Sequence, residues 1–368
     1  MMEYRRLYIY ALIASCLFAT ADVCGQDKAK VFDKPKFSGY VIGQYQYNDQ
    51  SGAESNSFNL RMIRLSIDGR ILGDFAYKVQ GQINGSTSTL GESPRVVDAF
   101  IEWQKLPFLK IKAGQFKRPF TFENPMHPID QGFMGYSQNV SKLAGFNDRV
   151  GEHASNGRDI GVQLQGDVFK TASGRALLHY QVGVFNGQGI NTKDVDNQKD
   201  VIGGLWVMPV QGLRIGAFGW TGSYARKGSD GIKSLDKNRY AISGEYVFDD
   251  WTFRSEYIHS TGYGFASVYN QASDLKVDDV NVDAGNKADG FYALAIAPVI
   301  KKKLHVKARY DLYRPQAEWG TSKTFYELGI DYVFVKNLQV NLEYAFVNDR
   351  SLAKHNYSMI DTQLSFRF

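Results

Sequence analysis

The last twelve residues of the chain, 357–368, alternate between apolar and polar side chains. A β-strand turns successive side chains to opposite faces, so this segment would have one apolar face and one polar face. The apolar face would carry Ile360, Leu364, Phe366 and the terminal Phe368. Because the same pattern recurs in strand-sized pieces along the whole chain, it predicts a transmembrane β-barrel and not an isolated soluble edge strand.

Sixteen segments of this kind can be placed between turn signals. The connections after even-numbered segments are short, as at residues 249–250 and 301–303. The connections after odd-numbered segments are longer, as at 187–200 and 224–238. Outer-membrane barrels have short periplasmic turns and long outer loops. We therefore predict an all-β fold, an antiparallel barrel of about sixteen strands over residues 37–368, with both chain ends on the periplasmic side.

The two faces of the predicted strands differ in chemistry. In the segment 338–348, apolar residues alternate with Gln339, Asn341 and Glu343. The apolar set would contact lipid, and the polar set would line a lumen, because unpaired charge in a dry core costs several kcal/mol. Aromatic residues such as Trp103 and Trp251 fall at the predicted periplasmic ends, where an interfacial girdle is expected.

The first 25 residues predict a signal peptide. Arg5 and Arg6 precede an apolar run at 7–18, which small residues follow. The run is too short for a typical membrane anchor, so we expect export. Cleavage after Ala21 and cleavage before Gln26 both fit the pattern. Residues 26–36 would then form a short periplasmic segment ahead of the barrel.

Composition argues against several other classes of protein. Both cysteines, Cys16 and Cys24, fall in the predicted signal peptide, so cleavage before Gln26 would leave neither disulfides nor thiolate metal sites. The net charge of +5 is too small and too dispersed to indicate a nucleic-acid partner. The six histidines show no metal-ligand spacing, and no nucleophile motif is present. We expect no cofactor and no enzymatic activity, and an outer-membrane enzyme is the least favoured alternative.

One stretch of forty residues, 117–156, lacks the alternation. It is rich in apolar residues, Phe120, Phe122 and Phe133 among them, so it is expected to pack on a surface. In a barrel the available surface is the inner wall. The sequence predicts that this third extracellular loop folds inward and constricts the channel; the alternative is a loop that projects outward.

Five stretches resemble the phosphate-selective porin O/P family of bacterial outer-membrane porins. GQFKRPFTFEN at 114–124 resembles the family element G-x-F-K-x-P-F-x-x-E. The others are FNLRMIRLSIDGRI at 58–71, VVDAFIEW at 96–103, RDIGVQLQGDVF at 158–169 and VGVFNGQGIN at 182–191. The resemblance implies a sixteen-stranded homotrimeric porin whose third outer loop folds inward. Its partners would be outer-membrane lipid and small ions or solutes, phosphate among them, and an arginine ladder and a lysine ring would line a phosphate-selective pore.

Basic side chains with inward parity, together with two at the root of the loop, are the candidate pore-lining residues. They are Arg64, Lys78, Lys112, Lys117, Arg118, Arg214, Arg254, Lys307 and Arg309. Lys117 and Arg118 would either raise the local anion concentration or tie the loop to the wall through Asp or Glu partners. Arg61 and Arg64 have opposite parity, so one of them is expected to point away from the pore.

The same face also carries many carboxylates, among them Asp98, Glu245 and Glu343. This mixture favours a general porin with a mild anion preference over a phosphate-specific one. The leading hypothesis is passive diffusion of small hydrophilic solutes and ions across the outer membrane; the alternative is a structural or binding barrel plugged by its loop. The terminal strand, with Leu364, Phe366 and Phe368, resembles the membrane-insertion signal that the barrel-assembly machinery reads.

Overall fold

The computed structural model describes residues 31–84, 94–146, 154–263, 274–280 and 286–368, and its strands form one closed antiparallel barrel. The predicted signal peptide and residues 26–30 of the segment 26–36 lie outside these residues. The strands are β1 Lys36–Asn48, β2 Ser55–Ile71, β3 Phe75–Gln82, β4 Arg95–Leu106, β5 Leu109–Lys117, β6 Arg158–Lys170, β7 Ala176–Phe185, β8 Asp200–Val207, β9 Leu213–Lys227, β10 Ile232–Phe248, β11 Trp251–Thr261, β12 Lys287–Ile300, β13 Leu304–Arg314, β14 Lys323–Val335, β15 Leu338–Asp349 and β16 Asn356–Arg367. A short helix, α1 (Gln138–Leu143), and two 3-10 turns, Val277–Asp279 and Trp319–Thr321, are the described helical elements. None of these is long and apolar enough to cross a membrane.

The barrel closes between the first and the last strand. β1 pairs with β2 on one side and with β16 on the other, from Tyr40 opposite Arg367 to Asn48 opposite Met359. Closure gives the backbone groups of every strand a partner, which a lipid environment demands. The predicted sixteen-stranded antiparallel barrel is confirmed.

The alternation seen in the sequence becomes an inside and an outside. On β15 the side chains of Leu342, Tyr344 and Phe346 are 45%, 44% and 39% exposed, whereas Asn341 and Glu343 are buried. The outer face is therefore apolar and open to its surroundings. The inner face carries the polar residues, as the period of two predicts.

The outer strand-ends between β9 and β10 differ from the prediction. Residues 224–238 were expected to be a long loop, but β9 runs to Lys227 and β10 begins at Ile232. The two strands stay paired to their tips, and the Gly228 N–H donates to the Gly231 carbonyl at 2.8 Å. This part of the hairpin lacks apolar alternation because polar and apolar residues share a face, as Tyr224 and Leu235 do with Arg226 and Lys233, so its sequence resembles a loop.

The turn between β10 and β11, at the opposite end of the barrel, has a backbone geometry that its two aspartates allow. Asp249 and Asp250, between β10 and β11, have φ of 46° and 73°. Positive φ at both central residues matches the right-handed twist of the flanking strands, and aspartate tolerates it. We call this end of the barrel, where the even-numbered strands finish, the short-turn end.

A β-bulge in β2 changes the orientation of one arginine. Met62 pairs with Ile42 and Leu60 with Gly43, so Arg61 has no opposite residue. Its Nη1 donates to Gln363 Oε1 at 2.9 Å and to the Met134 carbonyl, both on the inner side. The expectation that Arg61 or Arg64 points away from the pore is wrong, because a bulge inserts one residue and breaks the period of two.

The terminal strand ends in a group of exposed rings. Leu364, Phe366 and Phe368 are 51%, 41% and 51% exposed on the outer face. The Phe368 ring lies 6.3 Å from that of Phe37 and 5.8 Å from that of Phe366. The exposed position leaves these side chains accessible to a recognising partner, and their role in insertion stays a prediction.

Replacing Leu342 with arginine tests which face meets lipid. Leu342→Arg places a charge on the outer face halfway along β15, and we expect it to cost about 2–4 kcal/mol of folding free energy in a bilayer. Gln46→Arg, on the inner face of β1 opposite Asp361, is the matched control and should cost far less. Urea titration of folding in vesicles measures both; equal costs would contradict the assignment of the two faces.

Candidate functional site: the barrel interior

The connection between β5 and β6 crosses the inside of the barrel. We call its described part, residues 118–146 and 154–157, the β5–β6 segment. The Phe122 and Glu123 N–H groups donate to Glu256 at 2.7 and 2.8 Å, and the Met134 N–H donates to Glu343 Oε1 at 3.0 Å. Glu256 and Glu343 belong to the inner faces of β11 and β15.

A third carboxylate completes the row. The Gln138 N–H, at the start of α1, donates to Asp311 Oδ2 on β13 at 2.8 Å. β5 and β13 are eight places apart in a ring of sixteen strands, so they are diametrically opposite. The segment that begins at β5 is therefore bound to the opposite wall. Hydrogen bonds to a charged acceptor contribute about 1.5–3 kcal/mol each.

An aromatic cluster fixes the near half of the segment. Phe120 and Phe122 are buried, and the Phe120 ring lies 5.5 Å from that of Trp220. The Phe122 ring is 5.5 Å from those of Trp206 and Phe218, in edge-to-face contact. Trp206 comes from β8, and the other two wall rings come from β9. Burial of each phenylalanine contributes roughly 1.5–3 kcal/mol.

Arg118 is held in a buried ion pair. Its Nη2 lies 2.9 Å from Asp159 Oδ2, and neither side chain is exposed to solvent. Its Nη1 donates to the Gly145 carbonyl at 3.0 Å, and its guanidinium lies 5.0 Å from the centre of the Trp220 ring. Gly145 has a φ of +77°, and a Cβ there would lie 1.9 Å from the Arg118 Nη1, so only glycine fits.

Lys117 is bonded to the segment itself. Its ammonium donates to the Asn124 carbonyl at 2.5 Å, to the Met126 carbonyl at 3.3 Å and to the Tyr136 hydroxyl at 2.6 Å. The nitrogen also lies 4.6 Å from the centre of the Tyr136 ring. Arg118 thus ties the segment to the wall through a carboxylate, whereas Lys117 uses neutral acceptors. A role of either residue in concentrating anions stays a prediction.

The segment buries further titratable groups. Glu123 accepts hydrogen bonds from the Ser137 N–H, at 3.2 Å, and from the Ser137 hydroxyl. Burial raises the pKa of Glu123, and the nearby Arg309 partly opposes this rise. Burial, together with the charge of Arg367, lowers the pKa of His127 to about 3. His127 is therefore neutral at neutral pH, and its ring lies 4.4 Å from that of Tyr40.

Most of the other candidate cations lie beside carboxylates. Arg214 and Arg254 share Glu245, at 2.7 and 2.6 Å. The remaining pairs are Lys307 with Glu343, Arg309 with Glu327 at 2.5 Å and Lys112 with Glu102 at 3.6 Å. Pairing of this kind offsets the cost of burial and leaves little net charge to act on a solute.

Arg64 and Lys78 differ from the rest. The Arg64 Nε donates to Gln82 at 2.9 Å and its Nη1 to the Tyr40 hydroxyl at 3.1 Å, and the buried Nη2 has no partner. No described carboxylate lies within ion-pair distance of Arg64 or of Lys78. These two residues belong to β2 and β3, and β4 separates β3 from the β5 strand that carries Lys112 and Lys117.

The opposite side of the interior is acidic. A cavity of about 370 Å³ near the short-turn end is lined by Asp130, Asp250 and Asp331. The His305 ring bridges the last two, with its nitrogens 3.0 Å from Asp250 and 2.9 Å from Asp331. The third carboxylate, Asp130, pairs with Arg367. In the parts of the chain that the structure covers, no cluster of three or more His, Cys, Asp or Glu side chains could hold a metal ion.

We compared the chain with protein-family models and with curated proteins. Residues 39–201 match the family model described as phosphate-selective porin O and P. The chain has no significant sequence match among curated proteins.

Solved structures share the whole barrel. The anion-selective porin from Comamonas acidovorans superposes with a TM-score of 0.63 at 13% identity, over 91% of this chain and 99% of that one. The outer membrane channel DcaP of Acinetobacter baumannii gives 0.61 at 13% identity, over 94% and 100%. The trimer form of in-vitro folded OmpT of Vibrio cholerae gives 0.58 at 13% identity, over 91% and 99%. At such identities the likeness shows the fold.

The closed sixteen-stranded barrel has the fold of bacterial outer-membrane porins. Within that class, the match over residues 39–201 confirms the resemblance to the phosphate-selective porin O and P family.

The pair of Arg118 and Asp159 provides a test of how the segment is held. Arg118→Met leaves a buried, unpaired carboxylate, and we expect it to lower the free energy of unfolding by about 3–5 kcal/mol. Replacing both residues, as Arg118→Met with Asp159→Asn, should cost less than Arg118→Met alone. Denaturant titrations of these two variants and of Asp159→Asn alone measure this; strictly additive losses would show that the two side chains are not coupled.

Proposed function

We propose that the protein is a porin through which small hydrophilic solutes and ions diffuse passively across the bacterial outer membrane, after removal of the signal peptide 1–25. The observation that carries this proposal is a closed barrel with an apolar outer face and a charged inner face. Lipid can cover such an outer surface while water fills the interior. The process needs no cofactor and no chemistry on the solute.

The β5–β6 segment is proposed as the constriction, within the loop predicted at 117–156. Its hydrogen bonds to Glu256, Asp311 and Glu343 support this role, because they hold the backbone across the lumen. A segment fixed at both walls limits the size of a passing solute. It also brings charged wall residues close to the remaining path.

Ion selectivity depends on the charged side chains of the lumen that have no oppositely charged partner. Arg214, Arg254, Lys307 and Arg309 lie against carboxylates, so each contributes little net field. Among the candidate cations, Arg64, Lys78 and Lys117 have no described carboxylate partner, and they belong to β2, β3 and β5. We infer a general channel with a mild anion preference and no specificity for phosphate.

Assembly is proposed from resemblance. The family resemblance implies a homotrimer, and OmpT of Vibrio cholerae, which has the same fold, has a trimer form. Leu364, Phe366 and Phe368 would be the part of the terminal strand that the barrel-assembly machinery reads.

A second candidate, a plugged binding barrel, is favoured by the burial of the segment's own side chains. Phe120 and Phe122 are 0% and 2% exposed, so this part of the segment is packed like a core. Open-channel current separates the two candidates, because a plugged barrel conducts no ions.

Planar-bilayer recording tests the proposed channel. We expect stepwise conductance in KCl. Under a KCl gradient, we expect a reversal potential that is near zero or that indicates a modest preference for chloride over potassium. The physical reason is a lumen in which most cations are paired. Silence of correctly folded protein would favour the plugged barrel, and strong cation selectivity would refute the charge assignment.

Glu256 tests the constriction. Glu256→Gln removes the charge that accepts the Phe122 and Glu123 N–H groups, so the segment should fluctuate more and the open-channel current should become noisier or larger. Lys301→Gln, in an exposed turn, is the control and should leave the current unchanged. Identical conductance and noise in the Glu256 variant and the wild type would argue against a constricting role.

A further inference from the structure

A cavity of about 280 Å³ lies between the β5–β6 segment and the wall formed by β1 to β6. This volume lies just below the usual range for ligand pockets, which begins at about 300 Å³. Its lining includes Arg64, Lys78, Lys112, Phe100, Phe116 and Met126. We call it the basic cavity.

The charge of the basic cavity is strongly one-sided. Five cations line it, the three just named together with Lys117 and Arg158, against a single carboxylate, Asp98. Arg158 pairs with Asp98 at 2.7 Å. Lys112 lies 3.6 Å from Glu102, outside the lining.

The other three cations have no described carboxylate partner. The Lys117 ammonium reaches two carbonyls and one hydroxyl. Arg64 bonds neutral acceptors only, and its buried Nη2 has no hydrogen-bond partner. An unsatisfied guanidinium nitrogen is costly to bury, so an acceptor oxygen supplied by a ligand would stabilise the site.

The basic cavity also has an apolar wall, and in this it differs from a site lined by cations alone. The Lys112 ammonium lies 4.8 Å from the centre of the Phe100 ring and 5.3 Å from that of Phe116. Met126 and two prolines of the segment, Pro125 and Pro128, lie across from these rings. Lys78, Lys112 and Phe100 are half-buried, so a solute in the lumen can reach a cation and a ring together.

A hydrated inorganic phosphate would use only the cations, and it would leave the Phe100 ring and the Met126 side chain against water. An anion with a flat apolar body uses both surfaces, because its charge meets the ammonium groups while its ring covers apolar area. We propose that the basic cavity binds organic anions that carry an aromatic ring, such as aryl carboxylates, in preference to inorganic phosphate. This inference rests on the proposed channel and names the class of solute that its basic side selects.

Benzoate, acetate and phosphate are the probes. Each is added to the purified full-length mature protein, in bilayers as a blocker of KCl current and in detergent by isothermal titration calorimetry. Benzoate and acetate share a carboxylate and differ by the ring. We expect benzoate to bind at least about tenfold more tightly than acetate, because burying the ring adds apolar area. Phosphate should bind more weakly than benzoate.

Two variants separate the contribution of the ring from that of the charge. Phe100→Leu should weaken benzoate severalfold and leave acetate unchanged, whereas Lys78→Gln should weaken both. Lys301→Gln, in the exposed turn, is the control for nonspecific loss of positive charge and should change neither. Circular dichroism and heat-modified gel migration confirm that each variant is folded.

The outcomes divide cleanly. Equal affinity for benzoate and acetate, tighter binding of phosphate, or an equal effect of Phe100→Leu on both carboxylates would overturn the inference. A silent bilayer with benzoate binding in calorimetry would reject the open channel and keep the ligand class. An open channel without a preference for benzoate would keep the channel and reject the ligand class.

Discussion

The structure depends on the closure of the backbone hydrogen-bond ladder between β1 and β16. In lipid, an unpaired N–H or carbonyl has no water to bond, so a sheet that spans the membrane cannot keep an open edge. The Tyr40 to Asn48 pairing with β16 removes that edge. Once the sheet is closed, the period of two separates lipid-facing from lumen-facing side chains. Every charged side chain that faces the lumen must then contact a partner or water.

Many charged side chains of the inner wall find their partners in the β5–β6 segment. Glu256, Asp311 and Glu343 would repel one another as a row of carboxylates on one wall. They accept backbone N–H groups of the β5–β6 segment, and Glu343 also lies beside Lys307. Wall charges thus hold the segment, and the segment in turn screens the wall. The same arrangement leaves β2, β3 and β5 with an excess of cations beside the half-buried Phe100 ring of β4, which is where a solute would be selected.

The barrel could be predicted from the sequence because strand alternation and turn length are local properties. The interior could not be predicted in the same way. Arg61 points inward because of a bulge that parity cannot reveal, and the 224–238 hairpin looks like a loop because polar and apolar residues share a face. Which carboxylate each cation meets depends on register across distant strands, as for Arg118 with Asp159. The sequence predicted the pore-lining cations by type and face, but it carried no signal for the single-sided excess around Arg64 and Lys78.

Single-cysteine scanning along β15 tests the central claim most directly. The two natural cysteines, Cys16 and Cys24, precede the barrel, so one introduced thiol reports one position. In protein folded in vesicles, a charged thiol reagent should label Gln339→Cys and Asn341→Cys, which line the cavity near the short-turn end. A lipid-phase quencher should reach a fluorophore attached at Leu342→Cys or Tyr344→Cys. Aqueous labelling of the first pair and lipid quenching of the second is the predicted result. Aqueous labelling of all four positions, or quenching at Asn341→Cys instead of Leu342→Cys, would contradict a barrel with lipid outside and water inside.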